Sequence, residues 1–191
     1  DFQVFSKSLY HHLSTGGKGL FLVEALNRLG ASYVFYFSFA LGLLISLPIA
    51  AARTYQALYQ GRLRRPVSIL AEILVESLRI VQYALFIVHG AHAPFRSLFA
   101  GDFWKEAFAG IHQLETVPLL WDVLGYAIVF GLYNAVLLAI LRPANVRKMM
   151  DRTGIRGFEV SAVRNAVLLA FKNLFLIPVS VIYLLDMLNI M

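Results

Sequence analysis

The chain has 191 residues, a net charge of +6 and no cysteine. Hydrophobic residues make up 59% of it and charged residues 15%, which excludes an ordinary soluble domain, because such a domain carries about a quarter charged residues. The absence of cysteine excludes disulfides, thiolate metal sites and cysteine nucleophiles. The composition therefore predicts a single membrane domain over residues 1–191, with the lipid bilayer as its immediate partner.

The first predicted elements are a short amphipathic helix and a membrane span. Residues 19–29 place leucine and valine side chains on one helical face, which is typical of a helix that lies in a membrane interface. Residues 29–52 contain no charge over 24 positions, and about 20 apolar residues suffice to cross the hydrocarbon core as a helix. We therefore predict the first transmembrane helix at residues 31–52.

The second predicted span lies between two connecting segments of opposite character. Residues 53–66 hold four basic and no acidic side chains, whereas residues 91–116 hold two basic and three acidic ones. The apolar stretch between them predicts a second transmembrane helix at residues 67–90, although charges interrupt it. Within the acidic segment, residues 102–114 form an aromatic stripe at helical spacing, with Asp102 as the expected N-cap.

The last part of the chain repeats this organisation. Residues 117–141 and 160–190 predict the third and fourth transmembrane helices, and a basic segment lies between them at 142–158. Pro143 and Gly154 there bracket a short amphipathic helix. The predicted fold is an all-α integral membrane protein, a four-transmembrane-helix bundle with short interfacial amphipathic helices. The alternative for these short pieces is ordinary loop structure packed on the bundle.

The distribution of Lys and Arg predicts the orientation of the bundle. Cytoplasmic loops of membrane proteins carry an excess of these residues. Residues 53–66 and 142–158 are therefore expected on the cytoplasmic side, and both termini on the outside. The membrane that best fits this pattern is the plasma membrane of a bacterium. Because the positive charge is concentrated in two short segments, nucleic acid is not an expected partner.

Polar side chains inside the predicted spans are costly in lipid and are therefore candidate site residues. They are Glu72, Glu76, Arg79, Asn134, Arg164, Asn165 and Lys172. The acids and the arginine of the second helix share one face, and Arg79 lies ~16 Å into the span, near its middle. Two interpretations stay open for the acids and their expected partners, Arg79, Arg164 and Lys172. In the first, these side chains form a relay for protons or an ion. In the second, their pairing fixes the register of the helices.

One histidine is a candidate ligand. His89 lies at the outer end of the second predicted span and is a possible ligand of one pigment or haem. Paired histidines on facing helices, which a bis-histidine haem requires, are absent from the sequence pattern. No metal or covalent cofactor is indicated, and a bound lipid or pigment stays open.

Two functional classes compete. The first is an accessory or scaffolding subunit of a larger membrane complex, such as a photosynthetic or respiratory assembly, with other membrane protein subunits as partners. Short loops, 15 phenylalanines and 9 tyrosines favour it, because they offer apolar surface and no catalytic constellation. The alternative is a small transporter or channel component, in which the Glu, Arg and Lys residues form a proton or ion pathway. An enzyme is the least expected class.

Overall fold

The computed structural model describes residues 20–191, and this part of the chain consists of helices and short connecting segments, with no strand. Two 3-10 helices, Phe95–Phe99 and Gly110–Gln113, complement the α-helices. The α-helices are α1 Leu20–Ser38, α2 Ala40–Leu58, α3 Arg65–Gly90, α4 Gly101–Ala109, α5 Thr116–Ile140, α6 Pro143–Thr153 and α7 Val160–Met187. The helix α7 contains a π-helical segment, Lys172–Leu176. The predicted all-α class is therefore confirmed.

Three helices of the described part are long and apolar enough to cross a membrane, namely Ala40–Leu58, Thr116–Ile140 and Val160–Met187. The predicted third and fourth spans agree with two of them. The predicted second span corresponds to α3, whose 26 residues extend about 39 Å at 1.5 Å per residue. This helix is not among the three, and it carries charges in its first half. A bundle of four transmembrane helices thus stays a prediction.

The stretch predicted as the first span, residues 31–52, is helical but interrupted, and its crossing of a membrane stays a prediction. The helix is broken at Phe39, whose φ of −99° and ψ of 81° separate α1 from α2. Phe39 is buried, and its ring packs against Phe86 and against the imidazole of His89. Gly42 permits this packing, because a Cβ there would lie 2.6 Å from the Phe86 ring. The break therefore results from ring packing between α1–α2 and α3.

The short amphipathic helix predicted at residues 19–29 is wrong. Gly19 lies outside the described residues, and the remainder is the beginning of the 19-residue helix α1. The apolar face predicted for this helix includes Val23 and Leu26, which are 50% and 57% exposed. The packed face of α1 instead contains Ala25, close to α5: a Cβ on Gly125 would lie 2.8 Å from the Ala25 Cβ. Small residues permit this close approach of two helices.

The other two short helices form where the sequence predicts them. The helix α6 begins at Pro143 and ends before Gly154, which adopts a left-handed conformation with φ +70°. The segment 102–114 contains most of α4 and the following 3-10 helix. The N-cap of α4 is Ala100 rather than Asp102. Asp102 therefore lies in the first turn, where the helix dipole stabilises a carboxylate.

The helix α7 is the centre of the bundle. The helix α2 packs along the first half of α7, and α1 packs along its second half. The helix α3 lies against α2, whereas α5 lies against α1. The main core is formed where these helices meet and includes Tyr36, Phe86 and Tyr183, which are almost fully buried.

The connecting segments divide between the two ends of the bundle. At one end, Tyr59 after α2 contacts the ring of Phe158, which precedes α7, at 5.6 Å between ring centroids. The two basic segments therefore lie at the same end, which we call the basic end. At the opposite end, Gly110 lies against the backbone of Asn189, so the segment between α3 and α5 adjoins the C-terminal end of α7.

Candidate functional site

A network of charges joins α2 to the first half of α3. Nη2 of Arg53 donates to Glu72 Oε1 at 2.8 Å and to Glu76 Oε1 at 2.7 Å. Glu76 also accepts from Arg79 at 2.7 Å. The arginine side chains are only 14% and 18% exposed, whereas those of the glutamates are 51% and 49% exposed. Two cations and two anions thus neutralise one another, with the carboxylates on the outer side of the helix pair.

Arg79 extends this network to α7. Its Nη2 donates to Oδ1 of Asn173, which lies in the π-helical segment and is 2% exposed. The Nδ2 of Asn173 donates to the Leu169 carbonyl at 2.7 Å. The Nε of Arg79 is buried and has no hydrogen-bond partner among the described residues. The charged network therefore ends on an amide in the middle of the bundle.

A second buried network lies beside the first and contains no charge. The amide nitrogen of Gln82 lies 2.7 Å from the Gly42 carbonyl and 2.6 Å from Ser46 Oγ. The hydroxyl of Tyr36 lies 2.7 Å from Ser46 Oγ and 2.6 Å from the Leu174 carbonyl. A carbonyl can only accept, so the Tyr36 hydroxyl donates to Leu174, and Ser46 Oγ also lies 3.1 Å from the Gly42 carbonyl. The three side chains, at most 1% exposed, connect α1, α2, α3 and α7.

Proline explains why the Leu174 carbonyl needs a side-chain partner. In an α-helix this carbonyl would accept from the residue four positions later, which is Pro178 and has no N–H. An unsatisfied buried carbonyl is costly. The Tyr36 hydroxyl replaces the missing donor, and this bond joins the break in α1–α2 to the π-segment of α7.

The effect of removing this hydroxyl follows from the geometry. Tyr36→Phe is expected to destabilise the protein by about 2 kcal/mol, because the Leu174 carbonyl then stays buried without a donor. In a Pro178→Ala background the same substitution should cost less, since alanine restores an N–H to the helix at this position. Thermal unfolding of the four variants in detergent measures this coupling. An equal loss in both backgrounds would mean that Tyr36 does not compensate for the proline.

A second charged cluster lies towards the opposite end of the bundle. Arg28 of α1 contacts Asp122 of α5 at 3.3 Å, Asp186 of α7 at 3.2 Å and Glu24 at 3.5 Å. Its guanidinium also lies 5.7 Å from the centroid of the Tyr183 ring. The side chain of Arg28 is 12% exposed. One cation therefore joins three helices.

The remaining predicted site residues do not enter the charged network. Nε of Arg164 donates to the Leu141 carbonyl at 2.9 Å, at the end of α5, and Asn134 donates to Phe130 of its own helix at 2.9 Å. Asn165 is exposed and lines a groove at the basic end. Lys172 lies in the π-segment, one residue before Asn173. Among the described residues, neither Arg164 nor Lys172 forms an ion pair with Glu72 or Glu76.

The predicted pairing of the acids is therefore correct only for Glu76 with Arg79. Arg53, which provides the main cation, was interpreted as a residue of the basic loop. The signal for it was present in the sequence: Arg53 ends the uncharged run of residues 29–52. An arginine at that position borders the membrane span and is able to reach a neighbouring helix.

His89 lies at the end of α3 in an aromatic environment. Its ring is stacked on Phe39 with 4.3 Å between centroids and makes an edge contact with Phe35 at 5.1 Å. Within residues 20–191, no group of three or more His, Asp or Glu side chains could hold a metal ion. A role of His89 as a pigment or haem ligand stays a prediction, and the ring contacts provide a structural role for it.

Comparison of the chain with protein-family models, with curated proteins and with solved structures gave no match in any of the three.

Proposed function

We propose that the protein is an accessory or scaffolding subunit of a larger membrane protein complex. The bundle would cross the bilayer four times, through α1–α2 as one broken helix, α3, α5 and α7. The basic end would face the cytoplasm of a bacterium, because Lys and Arg are concentrated there. The single observation that carries this proposal is the outer surface of α3.

This surface combines apolar side chains with carboxylates. Ile69, Ile73 and Ile80 are 59–69% exposed, and Glu72 and Glu76 lie between them, half exposed. Charged groups inside a membrane normally face the bundle interior or another protein rather than lipid. A neighbouring transmembrane helix that carries Ser, Thr, Asn or Gln would satisfy these carboxylates, because such side chains hydrogen-bond across helices.

The charges themselves favour a structural role. Arg53, Glu72, Glu76 and Arg79 are already paired, and buried ion pairs are able to fix the register of helices without taking part in chemistry. The two grooves that we describe lie at the basic end, and none of these four residues lines either of them. These features support a subunit that holds its place in an assembly through a specific surface.

The proposal is tested by the mass of the protein isolated with its native lipids. We expect a stoichiometric complex with a different membrane protein. Ile73→Trp on the α3 surface should release that partner, whereas Leu132→Trp, at an equally exposed position of α5, should retain it. Isolation of the chain alone, or only as a homo-oligomer, would contradict the proposal.

A small transporter or channel component is the second candidate, and the irregular backbone in the middle of the bundle favours it. The π-segment of α7 and the break at Phe39 are joined by the Tyr36–Leu174 hydrogen bond. Irregular backbone at membrane depth is tolerated where it is buried in protein or lines a cavity, and π-bulges are frequent at functional sites. In this case Glu76→Gln should reduce proton-coupled uptake in vesicles. Unchanged flux would remove Glu76 from any relay.

A further inference from the structure

The basic end carries many cations without partners in the protein. Eight arginines and lysines there are exposed, and none of them forms an ion pair within the described residues. They are Arg62, Arg64, Arg65, Arg142, Arg147, Lys148, Arg152 and Arg156. The acids at this end are Asp151 and Glu159, both exposed. A net positive surface of this size attracts anions from outside the chain.

One groove at this end has two of these cations among its lining residues. It has a volume of about 340 Å³ and is lined by Asn145, Lys148, Met149, Arg152 and Thr153. Lys148 and Arg152 are four residues apart on α6, so their Cβ atoms lie about 5–6 Å apart on one face. The opposite face of α6 contributes Val146 and Met150 to the core beside α7, which fixes the orientation of the helix.

The polar groups of the groove are not equally available. The Asn145 amide donates to the Ile140 carbonyl at 2.9 Å, and the Thr153 hydroxyl donates to the Met149 carbonyl at 2.9 Å. Lys148 and Arg152 remain as the donors for a ligand, and Met149 lines the same groove. The other groove at this end contains Arg62 together with Glu159, so its charges are balanced and it does not favour an anion.

We propose that this groove of α6 binds the phosphate of an anionic phospholipid, with Lys148 and Arg152 on the phosphate and Met149 against the apolar part of the lipid. The inference rests on the membrane location proposed above, which places the basic end at the headgroups of the cytoplasmic leaflet. Basic residues at that depth attract anionic lipids. The apolar side chain in the groove favours a lipid over free phosphate, which would need polar donors on every side.

Native mass spectrometry of the full chain released from lipid particles tests the proposal. The particles contain phosphatidylglycerol and phosphatidylcholine with identical acyl chains in equal amounts. We expect preferential retention of phosphatidylglycerol. The variant Lys148→Gln/Arg152→Gln should reduce this preference roughly tenfold, whereas Arg64→Gln/Arg65→Gln removes the same charge at the same end and should leave it nearly unchanged.

Several results would overturn the proposal. Equal retention of the two lipids would mean that the groove does not select an anion, and equal losses in both variants would mean that only the total charge matters. Displacement of the lipid by millimolar inorganic phosphate, or tighter binding of an oligonucleotide, would identify another ligand. The subunit proposal is tested separately by the mass of the protein isolated with its native lipids, so its failure is distinguished from failure of the lipid site.

Discussion

Replacement of Arg53 by leucine is expected to lower the free energy of unfolding by about 3 kcal/mol and the Tm by roughly 10 °C. Arg53 is the cation for both Glu72 and Glu76. Its removal leaves two carboxylates beside a single arginine, Arg79. Thermal unfolding in detergent, followed by circular dichroism at constant pH and salt, measures the loss.

A second substitution separates the ion pair from other contributions of the Arg53 side chain. In Arg53→Leu/Glu72→Leu, Glu76 keeps its pair with Arg79 and no carboxylate is left over. This double variant should therefore be more stable than Arg53→Leu alone. Arg62→Leu, at an exposed position without an ion pair, is the control and should change stability by about 0.5 kcal/mol or less. If the double variant is the less stable one, the pairing does not hold α2 to α3.

Arg28→Leu is expected to be similarly damaging at the other charged cluster. Arg28 connects Asp122 of α5 to Asp186 of α7, and its removal leaves these carboxylates facing each other without a cation. A loss of about 2–3 kcal/mol follows, less than for a fully buried pair, because the side chains of Asp122 and Asp186 are 24% and 50% exposed. The shift of the Tm in detergent provides the measurement.

The neighbouring Glu24 is the matched control for that variant. Its carboxylate is the third that contacts Arg28, and its distance of 3.5 Å from the guanidinium is the longest of the three. Glu24 lies one turn before Arg28 on the same helix. Glu24→Gln should therefore cost about 0.5 kcal/mol or less. Comparable losses for Arg28→Leu and Glu24→Gln would show that the connection to α5 and α7 contributes little.

The part of the fold that depends on local signals could be predicted from the sequence. A long uncharged run identified α5 and a mainly apolar stretch identified α7, because a helix is the way to satisfy backbone groups over such a stretch in lipid. Pro143 and Gly154 identified the bounds of α6, because proline favours a first turn and glycine a left-handed end. These features require only residues near one another in the chain.

The break at Phe39 could not be predicted, because no local signal marks it. Pro48 lies inside α2 without ending the helix, whereas the chain bends at a phenylalanine whose ring is held by Phe86 and His89. The position of the bend is therefore decided by packing between helices. Propensity and pattern do not contain that information.

Only part of the charged network could be predicted, because the rest also depends on packing between helices. Helical spacing correctly placed Glu72, Glu76 and Arg79 on one face, since spacing is a property of one helix. The choice of Arg53 rather than Arg164 or Lys172 as the main partner depends on which helix lies beside α3. The helix α2 occupies that position, and the sequence contains no measure of helix order in the bundle.

The proposed subunit role and the proposed lipid site both depend on the helices crossing a bilayer with the basic end inside. Labelling of single cysteines tests this directly. The chain has no cysteine, so Gln60→Cys, Thr153→Cys and Ala100→Cys each introduce one thiol at an exposed position. In intact bacterial cells a membrane-impermeant maleimide should label Ala100→Cys alone, and the other two should react only after permeabilisation. Labelling of all three from the same side, or recovery of the unlabelled protein from cells in buffer without detergent, would contradict the account.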